Sequence, residues 1–184
     1  NFCVGANLMM LLMEAQDEEW DEVDHIIRQF QNTMYHLKQF EKPVIAAPHR
    51  MTLGGGVEVC LPADQVVASA ETYYGLVEVG VGLIPAGGGC KELIGRLSNS
   101  IKNPEADLQP YVNQIFETIG MAKVSTSALD AKKLGYLRDQ DTVVVHQDHL
   151  IYEAKQAALR LVEQDYTPEP KEEIRVVGSE GKAL

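Results

Sequence analysis

The sequence predicts an α/β fold in which short buried strands are joined by helical crossovers. Three observations carry that expectation. Short apolar runs at residues 2–4, 44–47, 64–69, 72–75 and 142–145 have the length of strands. Stretches with apolar residues at helical spacing separate them. Glycine-rich or proline-marked turns stand at the junctions, as crossover connections between parallel strands require.

The elements follow in order. Residues 2–4 are apolar and stop at Gly5, which suits a buried strand running into a turn, with a helix starting next. Over 17–40, Trp20, Val23, Ile26, Ile27, Phe30, Met34 and Leu37 recur at steps of one, three and four, predicting one long helix with a single buried face. Lys42 and Pro43 end it, 44–47 reads as a strand buried on both faces, and Pro48 closes that strand. The glycines at 54–56 give way to a helix from Val57, and strands are expected over 64–69 and 72–75. A glycine-rich stretch covers 80–89, a helix about 90–97, and a surface loop 98–110, where Ser, Asn, Pro and Asp accumulate. A helix is expected over 108–122, then one capped by Ser127 and ending at Gly135, a strand over 142–145, and a helix capped by Asp148 that runs to about Gln164. The organisation expected is a core over 1–97, a helical region over 98–166 and a tail over 167–184 that packs poorly or packs on something else. No internal repeat of fixed period is visible.

Composition narrows the function. With 45% hydrophobic and 23% charged residues in 184, the chain has globular proportions. Sixteen basic against twenty-seven acidic residues leave a formal charge of −11, which would repel a phosphate backbone, so no nucleic-acid partner is expected. No apolar run is long enough to span a bilayer. Cys3, Cys60 and Cys90 are odd in number and form no C-x-x-C pair, which suits free thiols in a reducing compartment, the cytoplasm by default. The chain opens on Asn1 without an initiator Met, on what reads as the end of a strand, and is expected to be a piece of a longer protein.

The chemistry concentrates in a few places. Glu58 sits between two valines just after three glycines, and Glu78 sits between two valines just before Gly80. A single glutamate is ordinarily solvated. Carboxylates set in apolar, glycine-rich sequence tend instead to be desolvated, which raises their pKa toward neutrality and suits proton transfer. The glycines have two readings: tight turns alone, or backbone N–H groups aimed at an oxyanion from a helix start. No P-loop spacing occurs, and the run from Gly80 to Pro85 fails the dinucleotide pattern because proline takes its last position. His25, His36, His49, His146 and His149 fall in no metal-binding motif, so no metal site is expected.

Taken in order, Phe2 through Leu8, Lys42 through Ala47, Leu53 through Glu58, Asp64, and Glu78 through Gly82-Leu83-Ile84-Pro85-Ala86-Gly87-Gly88 resemble the crotonase family of enoyl-CoA hydratases and isomerases over roughly the first hundred residues. The segment from Ala128 to Gly135 is similar to the family's region after the core. The multidomain bacterial β-oxidation proteins, which join a crotonase domain to an NAD-dependent 3-hydroxyacyl-CoA dehydrogenase part, look nearest. The resemblance implies a spiral of strand-strand-helix turns and a helical C-terminal region that mediates trimers or dimers of trimers. It implies that Ala6 and Gly55 donate N–H groups to the thioester carbonyl and that Glu58 and Glu78 hold a water, one taking its proton as it attacks the β-carbon and the other serving the α-carbon. Leu8, Leu53, Pro85, Ala86 and Gly87 would bind substrate. Hydration would need no cofactor: coenzyme A would enter as part of the acyl-CoA substrate, and NAD would belong only to a separate domain.

Both carboxylates are present, which favours hydration of 2-enoyl-CoA over isomerisation. An isomerase using one carboxylate and a non-catalytic acyl-CoA-binding or oligomerising module stand as alternatives. Three positions depart from the family pattern. Asn7 replaces a usual acid, Pro62 cuts the helix after Glu58, and Ala86 replaces a usual glycine. Were Ala86 to need a positive φ, alanine would cost about 1 kcal/mol there and could shift the water. The first strands of such a domain are not in the chain, so on this reading it would expose a sheet edge, bind CoA weakly with its few basic residues, and show little turnover by itself.

Overall fold

The computed structural model describes residues 1–103, 105–170 and 173–178. Residue 104 of the expected loop, and residues 171–172 and 179–184 of the expected tail, lie outside the described residues.

Two strand-strand-helix turns form the centre. In the first, β1 (Ile45–Ala46), β2 (Arg50–Leu53) and α3 (Gly55–Cys60) follow one another; in the second, β3 (Gln65–Ser69), β4 (Thr72–Gly75) and α4 (Gly89–Ser100) do the same. The first strands of the two turns pair in parallel, Ile45 opposite Gln65, and the second strands pair in parallel, Arg50 opposite Thr72 through Leu53 opposite Gly75. Each turn therefore adds one strand to each of two sheets, which is the geometry of a spiral. A third layer joins β3 through β5 (Thr142–Val144), giving the order β1-β3-β5, and Cys3 bridges Thr52 on the free side of β2.

Around this centre lie α1 (Leu8–Gln16), α2 (Trp20–Lys38), α5 (Gln109–Gly120), α6 (Ala128–Lys133) and α7 (Leu150–Glu163). The main core packs Val57, Cys60 and Leu61 of the α3 region against Val66, Ala68, Tyr74 and Leu76, and closes with Leu93, Ala131 and Tyr136. A second cluster seats α7 on the outer face of β3 and β5 through Val67, Val144, Leu150 and Ala157. Tyr136 and Arg96 pair their polar groups inside this core, as burial demands. The Tyr136 hydroxyl accepts from Leu76 N at 3.2 Å and donates to Lys123 O at 3.1 Å. Arg96, its pKa lowered to about 10 by burial, spans Tyr136 O and Leu61 O at 2.9 and 2.7 Å.

Three expectations from the sequence are corrected and one strand is added. The helix expected over 17–40 begins only at Trp20, because Glu18 takes a φ of +61° that breaks the chain between α1 and α2. Its predicted buried face is mostly half-buried: Met34 is 7% exposed and Trp20 is 61% exposed, since α2 lies along the surface. Pro48 closes β1 as expected, but the strand at 50–53 is one the sequence does not announce: Arg50, at a φ of +54°, turns the chain from one sheet into the other and begins β2. Asp148 does not cap the last helix: it lies inside a single 3₁₀ turn, Gln147–His149, and His149 takes the cap position without a side-chain bond. Ser127, by contrast, caps α6 as expected, its hydroxyl accepting from Asp130 N at 3.1 Å while the Asp130 carboxylate accepts from Thr126 N at 2.9 Å. Among the described residues no helix is long and apolar enough to cross a membrane.

Candidate active site

The site forms where the two second strands end. Leu53 closes β2, and Gly54 turns the chain into α3 with a φ of +53°, its N–H donating to Gly75 O at 2.8 Å and its carbonyl accepting from Val57 N at 2.8 Å. Gly55 is then the first helical residue, so its N–H has no partner one turn back. Gly5, at a φ of +99°, brings the chain before α1 against the same turn. A Cβ at Gly55 would lie 3.8 Å from Gly5 Cα and 3.9 Å from Ala6 N. The backbones of Ala6 and Gly55 are thus neighbours in van der Waals contact.

Glu58 stands one turn along α3, 5% exposed. Its Oε1 accepts from Gly89 N at 2.8 Å, at the N-terminus of α4, and the N–H groups of Gly87 and Gly88 also favour its charge. Burial is the larger effect and moves its pKa above the ordinary carboxylate value. Glu78 opens the 3₁₀ turn Glu78–Val81 that follows β4. Its Oε1 is 3.2 Å from where a Cβ on Gly54 would sit, so it faces the same turn as Ala6 and Gly55. Both Glu78 oxygens are buried without a well-formed hydrogen bond among the described residues. Burial, with the Glu58 charge adding to it and its own backbone N–H opposing, pushes its pKa up to about 7. Two carboxylates with unlike surroundings, one held by amides and one bare, are suited to opposite roles in proton transfer.

A cavity of about 470 Å³ opens beside Glu58, walled by Pro85, Ala86, Gly87, Gly88 and Cys90 on one side and by Gln31, Met34 and Tyr35 of α2 on the other. Of the residues expected to bind substrate, Pro85, Ala86 and Gly87 line it, whereas Leu53 and Leu8 do not. Leu53 points its carbonyl at Gly5, and Leu8 starts α1 at 44% exposure. Glu78, Ala6 and Gly55 lie outside this cavity's wall. Ala86 takes no positive φ, so the strain expected of it is absent. Among the described residues no three metal-ligating side chains converge.

Three participants were not legible as such in the sequence. The Phe30 ring, assigned to a core stripe, lies on Gly87 beside Glu58 and reaches toward Gly55. Gln31 Nε2 donates to Ala86 O at 2.7 Å and ties α2 to the cavity loop. Cys90 lines the cavity, its thiol pushed up by burial and by the charges of Glu58 and Glu78.

Comparisons with known proteins agree with this geometry. The family model described as enoyl-CoA hydratase/isomerase matches residues 1–101. A Bacillus subtilis (strain 168) protein named "Probable 3-hydroxyacyl-CoA dehydrogenase" is 52% identical over 183 residues, which is 100% of this chain and 23% of that protein. A Rickettsia felis protein that carries the name of a fatty acid oxidation complex trifunctional enzyme is 33% identical over 84% of this chain and 20% of its own length. The chain therefore spans less than a quarter of these curated relatives. Among solved structures, an enoyl-CoA hydratase from Polaromonas sp. JS666 superposes with a TM-score of 0.66 at 26% identity, covering 86% of this chain and 55% of that one, so the spiral expected from the resemblance is the fold observed.

Proposed function

On the footing that the chain belongs to the enoyl-CoA hydratase/isomerase family, we propose that it adds water to 2-enoyl-CoA thioesters in fatty-acid β-oxidation. The observation that carries this reading is the pairing of two desolvated carboxylates, Glu58 and Glu78, with the adjoining backbones of Ala6 and Gly55.

The thioester oxygen accepts from the Ala6 and Gly55 N–H groups, which stabilise the enolate charge that grows as the β-carbon is attacked. Loss of one such donor typically costs ~3 kcal/mol of barrier. Glu58, whose charge the Gly87, Gly88 and Gly89 amides favour against its burial, takes a proton from water as the water oxygen bonds to the β-carbon. Glu78, with only its own backbone N–H to favour its charge and a pKa pushed up to about 7, supplies the proton that bonds to the α-carbon. The product is a 3-hydroxyacyl-CoA, and transfer of the proton from Glu58 back to Glu78 restores the site. The reaction needs no cofactor, and coenzyme A enters with the substrate.

The name of the Bacillus subtilis relative supports placing this chain beside a 3-hydroxyacyl-CoA dehydrogenase activity, with NAD in that separate part. Three free thiols support the cytoplasm as its compartment. Exposed apolar residues on α7, Ile151, Tyr152 and Val162 among them, support assembly of copies, a trimer or dimer of trimers by resemblance.

One observation favours isomerisation as a second reading: the cavity wall includes Glu58 but not Glu78. The full-length protein, supplied separately with crotonyl-CoA and with a 3-enoyl-CoA, decides between them. Loss of the conjugated double bond of crotonyl-CoA supports hydration; its appearance from the 3-enoyl-CoA without hydration supports isomerisation. No turnover of either substrate points to the non-catalytic binding module.

A further inference from the structure

Phe30 occupies a place that the proposed substrate also needs. A Cβ at Gly55 would lie 3.6 Å from Phe30 Cζ, so the tip of the ring lies beside Gly55, the residue whose N–H is expected to hold the thioester oxygen. At its other side the ring lies against Gly87, where an added Cβ would run into both Phe30 Cε1 and the Glu58 Oε2 carboxylate oxygen. The ring therefore spans from Gly55 to the neighbourhood of the Glu58 carboxylate. Those are the two groups between which the carbonyl, α and β carbons of an enoyl thioester must lie for water to be delivered.

The backbone that bears Phe30 is fixed. Gln31, its neighbour, donates to Ala86 O at 2.7 Å, and Lys38 further along α2 pairs with Glu92 of α4 at 2.8 Å. Burial alone would raise the Glu92 pKa, but Lys38 and Lys91 outweigh it and hold the carboxylate ionised, so this link persists at neutral pH. With α2 tied at two points, the slot is vacated by rotation of a half-buried side chain rather than by movement of the helix.

Resting on the acyl-thioester reading above, we propose that Phe30 is a displaceable wedge: its ring fills the slot between the Gly55 amide and Glu58, and an acyl group must turn it out to bind. Free coenzyme A, which has no acyl carbons to place there, binds without displacing it. Phe30 is then a specificity-determining residue, because the fraction of molecules with the ring turned out scales the apparent affinity for acyl thioesters and for nothing else.

Calorimetric titration of the full chain with butyryl-CoA, which has the acyl group but no double bond to hydrate, and with free CoA tests this. Phe30→Ala is expected to bind butyryl-CoA about fivefold more tightly than the wild type, while its affinity for free CoA changes by less than about twofold. Phe30→Leu falls between, and carries the comparison should Phe30→Ala fail to fold. Equal shifts for both ligands, or weaker butyryl-CoA binding in the variants, would overturn the wedge and leave the ring as a passive wall. A wild type that binds neither ligand would remove the acyl-thioester reading and the wedge together; one that binds both, with variants that match it, would remove the wedge alone.

Discussion

Glu58 Oε1 accepts from the amide of Gly89 at 2.8 Å, which places the carboxylate of α3 at the N-terminus of α4 and ties the two successive turns of the spiral at the site. Glu78, on the connection between β4 and α4, has no such amide. The difference in their surroundings underlies the opposite roles proposed for them, and it yields a pH prediction.

Glu78 has a folded-state pKa of about 7, above its ordinary carboxylate value. As the proton donor it is competent below that value, so the rate of hydration falls as pH rises through about 7, and Glu78→Gln abolishes this limb of the profile. Stability follows the same shift. A carboxyl whose folded pKa is raised binds its proton more tightly in the folded protein, so its charge costs nothing below the unfolded value and opposes folding fully above the folded one. Glu78→Gln should therefore raise the melting temperature at pH 8 and have little effect at pH 4, as thermal unfolding at the two pH values would read. An equal change at both would mean that burial of the charge is not what Glu78 contributes.

Gly87→Ala places a methyl group against the Phe30 ring and the Glu58 carboxylate at once. Overpacking of this kind typically costs about 1–3 kcal/mol of stability. Because the displaced groups are in the site, kcat/KM should drop by about tenfold or more while the far-ultraviolet circular dichroism stays native. A variant with wild-type kinetics would show that the loop yields freely.

Tyr136→Phe removes the hydroxyl that links Leu76 N to Lys123 O within the core. Leu76 N is left buried without its acceptor, at a cost of about 1–3 kcal/mol. Leu76 lies two residues before Glu78, so the loss is expected to weaken activity as well as stability, and urea unfolding beside a rate measurement separates the two. Unchanged stability would imply that another acceptor reaches the Leu76 amide.

Much of this arrangement could be read from the residues in order. Ser127 carries the signal of a cap and caps α6, and Glu58 is buried as its apolar setting implies; of the glycines at 54–56 only Gly54 forms the turn, while Gly55 and Gly56 already open α3, ahead of the expected start at Val57. What stayed hidden depends on contacts between distant segments. Arg50 at positive φ has no sequence signature, so β2 was invisible behind Pro48. Phe30 satisfies the helical periodicity of a core residue, and nothing near it in sequence shows that its stripe faces Gly55 and Gly87 rather than a closed interior. Trp20 fits the same stripe but lies beyond the surface that α2 covers. Asp148 has the chemistry of a cap, yet the extra 3₁₀ turn moves the helix start past it.

The most direct measurement is the rate of crotonyl-CoA hydration by the full-length protein beside its Glu58→Gln and Glu78→Gln variants, followed by loss of the conjugated double bond. General acid–base groups are typically worth about 10²–10⁴-fold, and each substitution should cost a factor in that range. Variants that both hydrate crotonyl-CoA at the wild-type rate would contradict the assignment of the two carboxylates to the addition of water.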